Sequence, residues 1–101
     1  MEAPEFRVAR MPRVVQQMRD LAKRAASFGI KAELIAAFES LDRQLRSAPM
    51  ALGEPVHKTK KRGGLVCVGV IEPISVRFAV FKREKVVFLL DVHPLTRFFP
   101  K

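Results

Sequence analysis

Three groups of residues in this 101-residue chain have the chemistry to handle an anion. The segment "VHKTKKRGG", residues 56–64, gathers Lys58, Lys60, Lys61 and Arg62 within five positions. Cations packed so closely repel one another, and such clusters are common where a phosphate backbone is held. Arg77 stands in the middle of the apolar run "ISVRFAVF", where a charge needs a reason. Its planar guanidinium can hold two phosphate oxygens at once, and it fits a carboxylate such as Asp91 across a strand pair equally well. His93 follows the run "KVVFLLDV" and, before Pro94, ends the last strand candidate. An imidazole, with an ordinary pKa of about 6.5, can take and return a proton near neutral pH, although a histidine at a strand end is also an ordinary surface residue.

Other chemistries find little support. His57, Asp91, His93 and Cys67 have no spacing that suits a metal, so no metal or cofactor is expected. Cys67 is the one cysteine and lies inside an apolar run, which reads as a buried thiol. "KKRGG" lacks the pattern of a phosphate-cradling loop and opens no helix.

The charge balance narrows the class of partner. Nineteen Lys and Arg against ten Asp and Glu leave +9, which favours encounter with RNA, DNA or an acidic protein. Apolar residues make up 49% of the chain, which argues against disorder, and a length of 101 residues suits one domain over residues 1–101. No leader-like segment opens the chain and no apolar run approaches the roughly 20 residues of a membrane helix, so the expectation is a soluble, cytoplasmic protein with no membrane partner.

The elements that must position these residues can be read from periodicity. "EFRVAR", residues 5–10, alternates as a short strand. Val14, Met18, Leu21 and Ala25 form one stripe on a helix over 12–28, begun by Pro12 and stopped by Gly29. Leu34, Phe38, Leu41 and Leu45 mark a second helix ending near Arg46, with Pro49 as the point where helix can no longer continue. The short link folds the two into an αα-hairpin. "GLVCVGVI", "ISVRFAVF" and "KVVFLLDV" then predict three antiparallel strands, with the basic segment as the connection before them.

The last hairpin has a predictable register. A three-residue loop pairing Lys82 with Val86 sets Arg77 across from Asp91 with His93 diagonal to it. Ile74, Val76, Phe78 and Val80 then share an apolar face with Phe88, Leu90 and Val92. The opposite face carries Arg77, Asp91 and His93. The fold class is α+β: a short N-terminal strand, a two-helix hairpin, and a three-stranded antiparallel sheet packed on the helices.

This order of elements, with the segments "PMALGEPVHKTKKRGGLVCVGV" and "ISVRFAVFKREKVVFLLDV", resembles the RelE/ParE superfamily of toxin–antitoxin toxins over nearly the whole chain. The resemblance implies a toxin-like protein of a type II system, of the kind linked to plasmid stabilization. Its RelE-like branch cleaves mRNA on the ribosome; its ParE-like branch poisons DNA gyrase; a catalytically degenerate binding module is the third possibility. The implied partners are a cognate antitoxin and either ribosome and mRNA or gyrase. The resemblance assigns Arg77 to the phosphate-contacting arginine of the family. Lys58, Lys60, Lys61 and Arg62 fall in the region of its basic residues, and His93 and Arg97 lie where its C-terminal groups fall. RNA-cleaving members commonly use a C-terminal tyrosine. This chain has no Tyr, which leaves His93 as the general base.

Overall fold

Five strands, rather than three, make up the sheet, and the computed structural model describes them within residues 5–60 and 63–100. Strand β1 (Arg7–Arg10) leads directly into helix α1 (Pro12–Ser27), with Pro12 at its first position as expected. Gly29, at φ +73°, turns the chain in a conformation that glycine adopts at little cost, and α2 (Lys31–Ser47) returns antiparallel. Pro49 does not end helical structure there. It opens a single turn, α3 (Pro49–Leu52), because proline lacks only the N–H that a first helical residue does not use. Strands β2 (Gly53–Lys58), β3 (Gly64–Ile71), β4 (Ile74–Phe81) and β5 (Val86–Pro94) follow.

The strand order is β1-β5-β4-β3-β2, with β1 parallel to β5 and every other pair antiparallel. Two expectations are therefore corrected. The N-terminal strand joins the main sheet as its parallel edge, which the long connection from β1 through the helices and β2–β4 to β5 permits. Residues 53–58, expected in the connection, form the opposite edge, so the basic segment begins in a strand and continues into the β2–β3 hairpin. Polar and proline residues in "GEPVHK" hid that strand, because an edge exposed along its length needs no apolar pattern.

The β4–β5 register contains a second correction. Phe81 pairs with Val86, so the loop is the four residues 82–85, with Lys85 in the left-handed region at φ 59°. Near the turn the pairs run Ala79 with Phe88 and Phe78 with Leu89; beyond it Arg77 pairs with Asp91 and Val76 with Val92. One extra residue, Leu90, is absorbed in a β-bulge between these stretches. The bulge restores the expected Arg77–Asp91 pairing although the loop is one residue longer than expected. It also changes the faces. Val87, Leu89 and Val92 are buried with Ile74, Val76, Phe78 and Val80, whereas Phe88 and Leu90 belong to the other face with Asp91 and His93.

The helix hairpin covers the buried face. Val14, Leu21 and Ala25 of α1 and Leu34, Ala37, Leu41 and Leu45 of α2 join those sheet residues and Cys67 in one cluster. Cys67 is wholly buried, and burial pushes its thiol above the ordinary value. Phe99 closes the end of this core against Phe28, edge to face at 6.1 Å, with the Arg24 guanidinium 5.3 Å from its ring centroid. The two faces predict opposite responses to truncation. Phe78→Ala should cost about 3–5 kcal/mol in urea unfolding, and Val70→Ala on the uncovered face within about 0.5 kcal/mol. Equal costs would mean that the helices cover the wrong face.

Candidate functional site on the open sheet face

Arg77 and Asp91 meet on the uncovered face, one Asp91 oxygen accepting from Arg77 Nη2. Its other oxygen, Oδ1, lies 3.0 Å from Nη2 of Arg13, 3.5 Å from the Gln17 side-chain amide nitrogen that donates to it, and 4.0 Å from His93 Nε2. The Asp91 side chain is 9% exposed, while those of Arg13, Arg77 and His93 are 64%, 46% and 61% exposed. The carboxylate is thus a buried pivot for three exposed, proton-bearing or cationic groups. Burial alone would push its pKa up; the hydrogen bond and charge of Arg77, aided by Gln17 and Arg13, outweigh this and hold it below the ordinary 3.8.

Local structure explains why α1 reaches this face. Strand β1 accompanies β5 only as far as Leu89, and at Met11 the chain leaves the sheet. The edge of β5 beyond that point is completed by α1 side chains. Arg13 donates to the Leu90 carbonyl at 3.3 Å, and the Gln17 side-chain oxygen accepts from the Val92 N–H at 3.0 Å. Arg13 and Gln17, four residues apart, lie on one helix flank and both address the bulge. Sequence reasoning missed both residues. The available signal was a polar i,i+4 pair at the start of a helix that follows a short strand.

Beside this cluster the open face is apolar. Val66, Ala79, Phe81, Phe88 and Leu90 floor a groove of about 580 Å³, with Met11 at one side and His57, Lys58, Thr59 and Lys60 at the other. Phe81 and Phe88 stand edge to face, 5.7 Å apart, at its turn end. Farther along, Val68 and Val70 of β3 are 40% and 55% exposed. The continuous apolar character of "GLVCVGV", which supplies both faces of β3, was the sequence sign of this surface.

The expected site residues separate into groups. Arg77 and His93 both approach Asp91. Lys58 and Lys60 wall the groove, whereas Lys61 and Arg62 lie outside the described residues. Arg97 is not part of this assembly: it pairs with Glu72 at the β3–β4 turn, and its guanidinium lies 5.1 Å from the Phe98 ring centroid. Among the described residues no three His, Cys, Asp or Glu side chains cluster as a metal site, and no helix is long and apolar enough to cross a membrane.

A sheet of this order under an αα-hairpin defines a RelE-like fold. The chain is similar to one in the crystal structure of the archaeal RelE–RelB complex from Pyrococcus horikoshii OT3, with a TM-score of 0.68 and 19% identity over 91% of this chain and 97% of that one. No protein-family model matches the chain, and no curated protein does.

The pivot can be tested by titration. Asp91 has a lowered folded pKa, so its stabilisation is complete above the unfolded value near 3.8 and is lost as pH falls through the folded one. Asp91→Asn should cost about 1–3 kcal/mol in urea unfolding at pH 7, and the gap to wild type should close as the pH falls below about 4. A gap that stays constant into that acid range would show that the Asp91 charge contributes nothing.

Proposed function

We propose that this protein is the toxin of a type II toxin–antitoxin pair and that it acts in the cytoplasm by cutting mRNA on the ribosome. The reading is carried by the joint placement of Arg77 and His93 around Asp91, beside a groove walled by Lys58 and Lys60. In this scheme His93 takes the proton of a ribose 2′-OH as that oxygen attacks the adjacent phosphorus. Arg77 holds the non-bridging oxygens and offsets the negative charge that develops on them. The bond from phosphorus to the 5′-oxygen breaks, and the proton returns to that oxygen, leaving a 2′,3′-cyclic phosphate and a 5′-hydroxyl. Asp91, 4.0 Å from the imidazole, favours its transient positive charge.

The cognate antitoxin is proposed to be acidic and to cover the groove. A net charge of +9 and an apolar floor with lysines on its wall suit a partner that is anionic around an apolar ridge. One observation favours a second reading, a ParE-like action on DNA gyrase. Val68 and Val70 are exposed on β3 beside Arg77, where a nucleic-acid surface gains from cations and a protein target gains from apolar contact.

Primer extension on mRNA in a reconstituted translation reaction separates these readings. Wild-type protein should produce ribosome-dependent cuts; Arg77→Ala should slow them about 100-fold or more, and His93→Ala about 100- to 10,000-fold. Translation arrest with intact mRNA would sink the nuclease reading, and loss of gyrase supercoiling would then support the second.

A further inference from the structure

Arg13 has a place in the site that its position on a helix conceals. Asp91 presents one oxygen to Arg77 and the other to Arg13, so a single carboxylate holds two guanidinium groups contributed by different elements. Both groups remain well exposed, and the local charge of Arg13, Arg77 and Asp91 sums to +1 without His93. Arg13 Nη2 meets two partners, the Asp91 carboxylate and the Leu90 carbonyl, and Gln17 holds the same strip of β5 from the next turn of α1. A guanidinium anchored twice loses less side-chain freedom on binding an anion than a free surface arginine or lysine.

We propose that Arg13 is a second phosphate-binding residue, forming with Arg77 a two-guanidinium clamp for an RNA phosphate, with Asp91 as the positioning residue between them. The inference rests on the nucleic-acid reading above and adds a contact from α1. Guanidinium groups suit this task because each presents several N–H donors in a plane, so one can serve Asp91 while others face the phosphate oxygens. The Asp91 carboxylate keeps the two cations together, where their repulsion would otherwise drive them apart.

The test is binding of a single-stranded RNA oligonucleotide to the full chain across a salt series. Arg13→Gln and Arg77→Gln should each lower the steepness of log affinity against log salt by about 0.7, the value for one phosphate contact on a single strand. Arg13→Lys should keep the wild-type slope, because the charge remains. Arg19→Gln, on another flank of the same helix by its six-residue offset, removes an equal charge and should leave the slope unchanged. If Arg13→Gln behaves as Arg19→Gln does while Arg77→Gln lowers the slope, the clamp is overturned and the nucleic-acid reading stands. If the wild-type protein shows no salt-dependent RNA binding, both are overturned. Restoration by Arg13→Lys, with thermal melting of the variants alongside, separates lost contact from lost folding.

Discussion

A carboxylate out of water is costly unless its charge is balanced and its oxygens are hydrogen-bonded, and Asp91 meets that condition with groups from two other elements. Arg77 comes from β4, Arg13 and Gln17 from α1, and Asp91 itself from β5. The carboxylate therefore does more than neutralise one arginine. It ties the first turns of the first helix to the centre of the sheet, on the side the helix hairpin does not cover. Removing any partner takes a hydrogen bond or an ion pair from the carboxylate, so the cluster is defined in geometry even though three of its side chains are open to solvent.

The bulge at Leu90 makes this possible. Without an extra residue, the register set by the 82–85 loop would carry Asp91 to the buried face, into contact with Phe78 and Val76. With it, Val87 and Leu89 before the bulge and Val92 after it all reach the core, and Asp91 faces outward. The price is local: a strip of β5 backbone loses regular pairing, and β1 stops short of it. Arg13 and Gln17 supply the missing partners at Leu90 and Val92. A defect in the ladder, its repair by helix side chains and the assembly of a cationic cluster are one structural event.

Much of this was legible in the residues and some was not. The two helical stripes and the turn at Gly29 followed from period, because burial on one face constrains it strongly; the pairing of Arg77 with Asp91 and the approach of His93 were expected from a loop of three residues and are produced instead by a loop of four and a bulge. Strand β2 was illegible, since "GEPVHK" lies at an exposed edge where backbone pairing and not side-chain burial holds it. The parallel docking of β1 was illegible because no local pattern states which edge a strand joins. The loop length was misjudged because Lys85 adopts a backbone angle that usually calls for Gly or Asn, and the bulge then masked the error by restoring the pairing beyond it. Arg97 shows the limit of carrying a role by position alone. Its neighbour in space is Glu72, from a turn that no spacing argument brings close.

The open face makes two demands that one ligand class does not satisfy equally. Its Arg13–Arg77 end is polar, cationic and tied to Asp91, which suits a compact anion. The groove beside it is floored by Phe81, Phe88, Leu90 and valine and alanine side chains, which suits apolar burial. A phosphate backbone can satisfy the first end and stack a base on the aromatic pair, but it leaves the exposed Val68 and Val70 in water. A protein segment can bury the valines and the groove together and answer the lysines with acidic residues. The two occupants would overlap at the strip between Leu90 and Arg77. An acidic partner seated in the groove would lie beside the clamp and compete for its cations, so covering the apolar surface and silencing the cationic site would be the same act of binding.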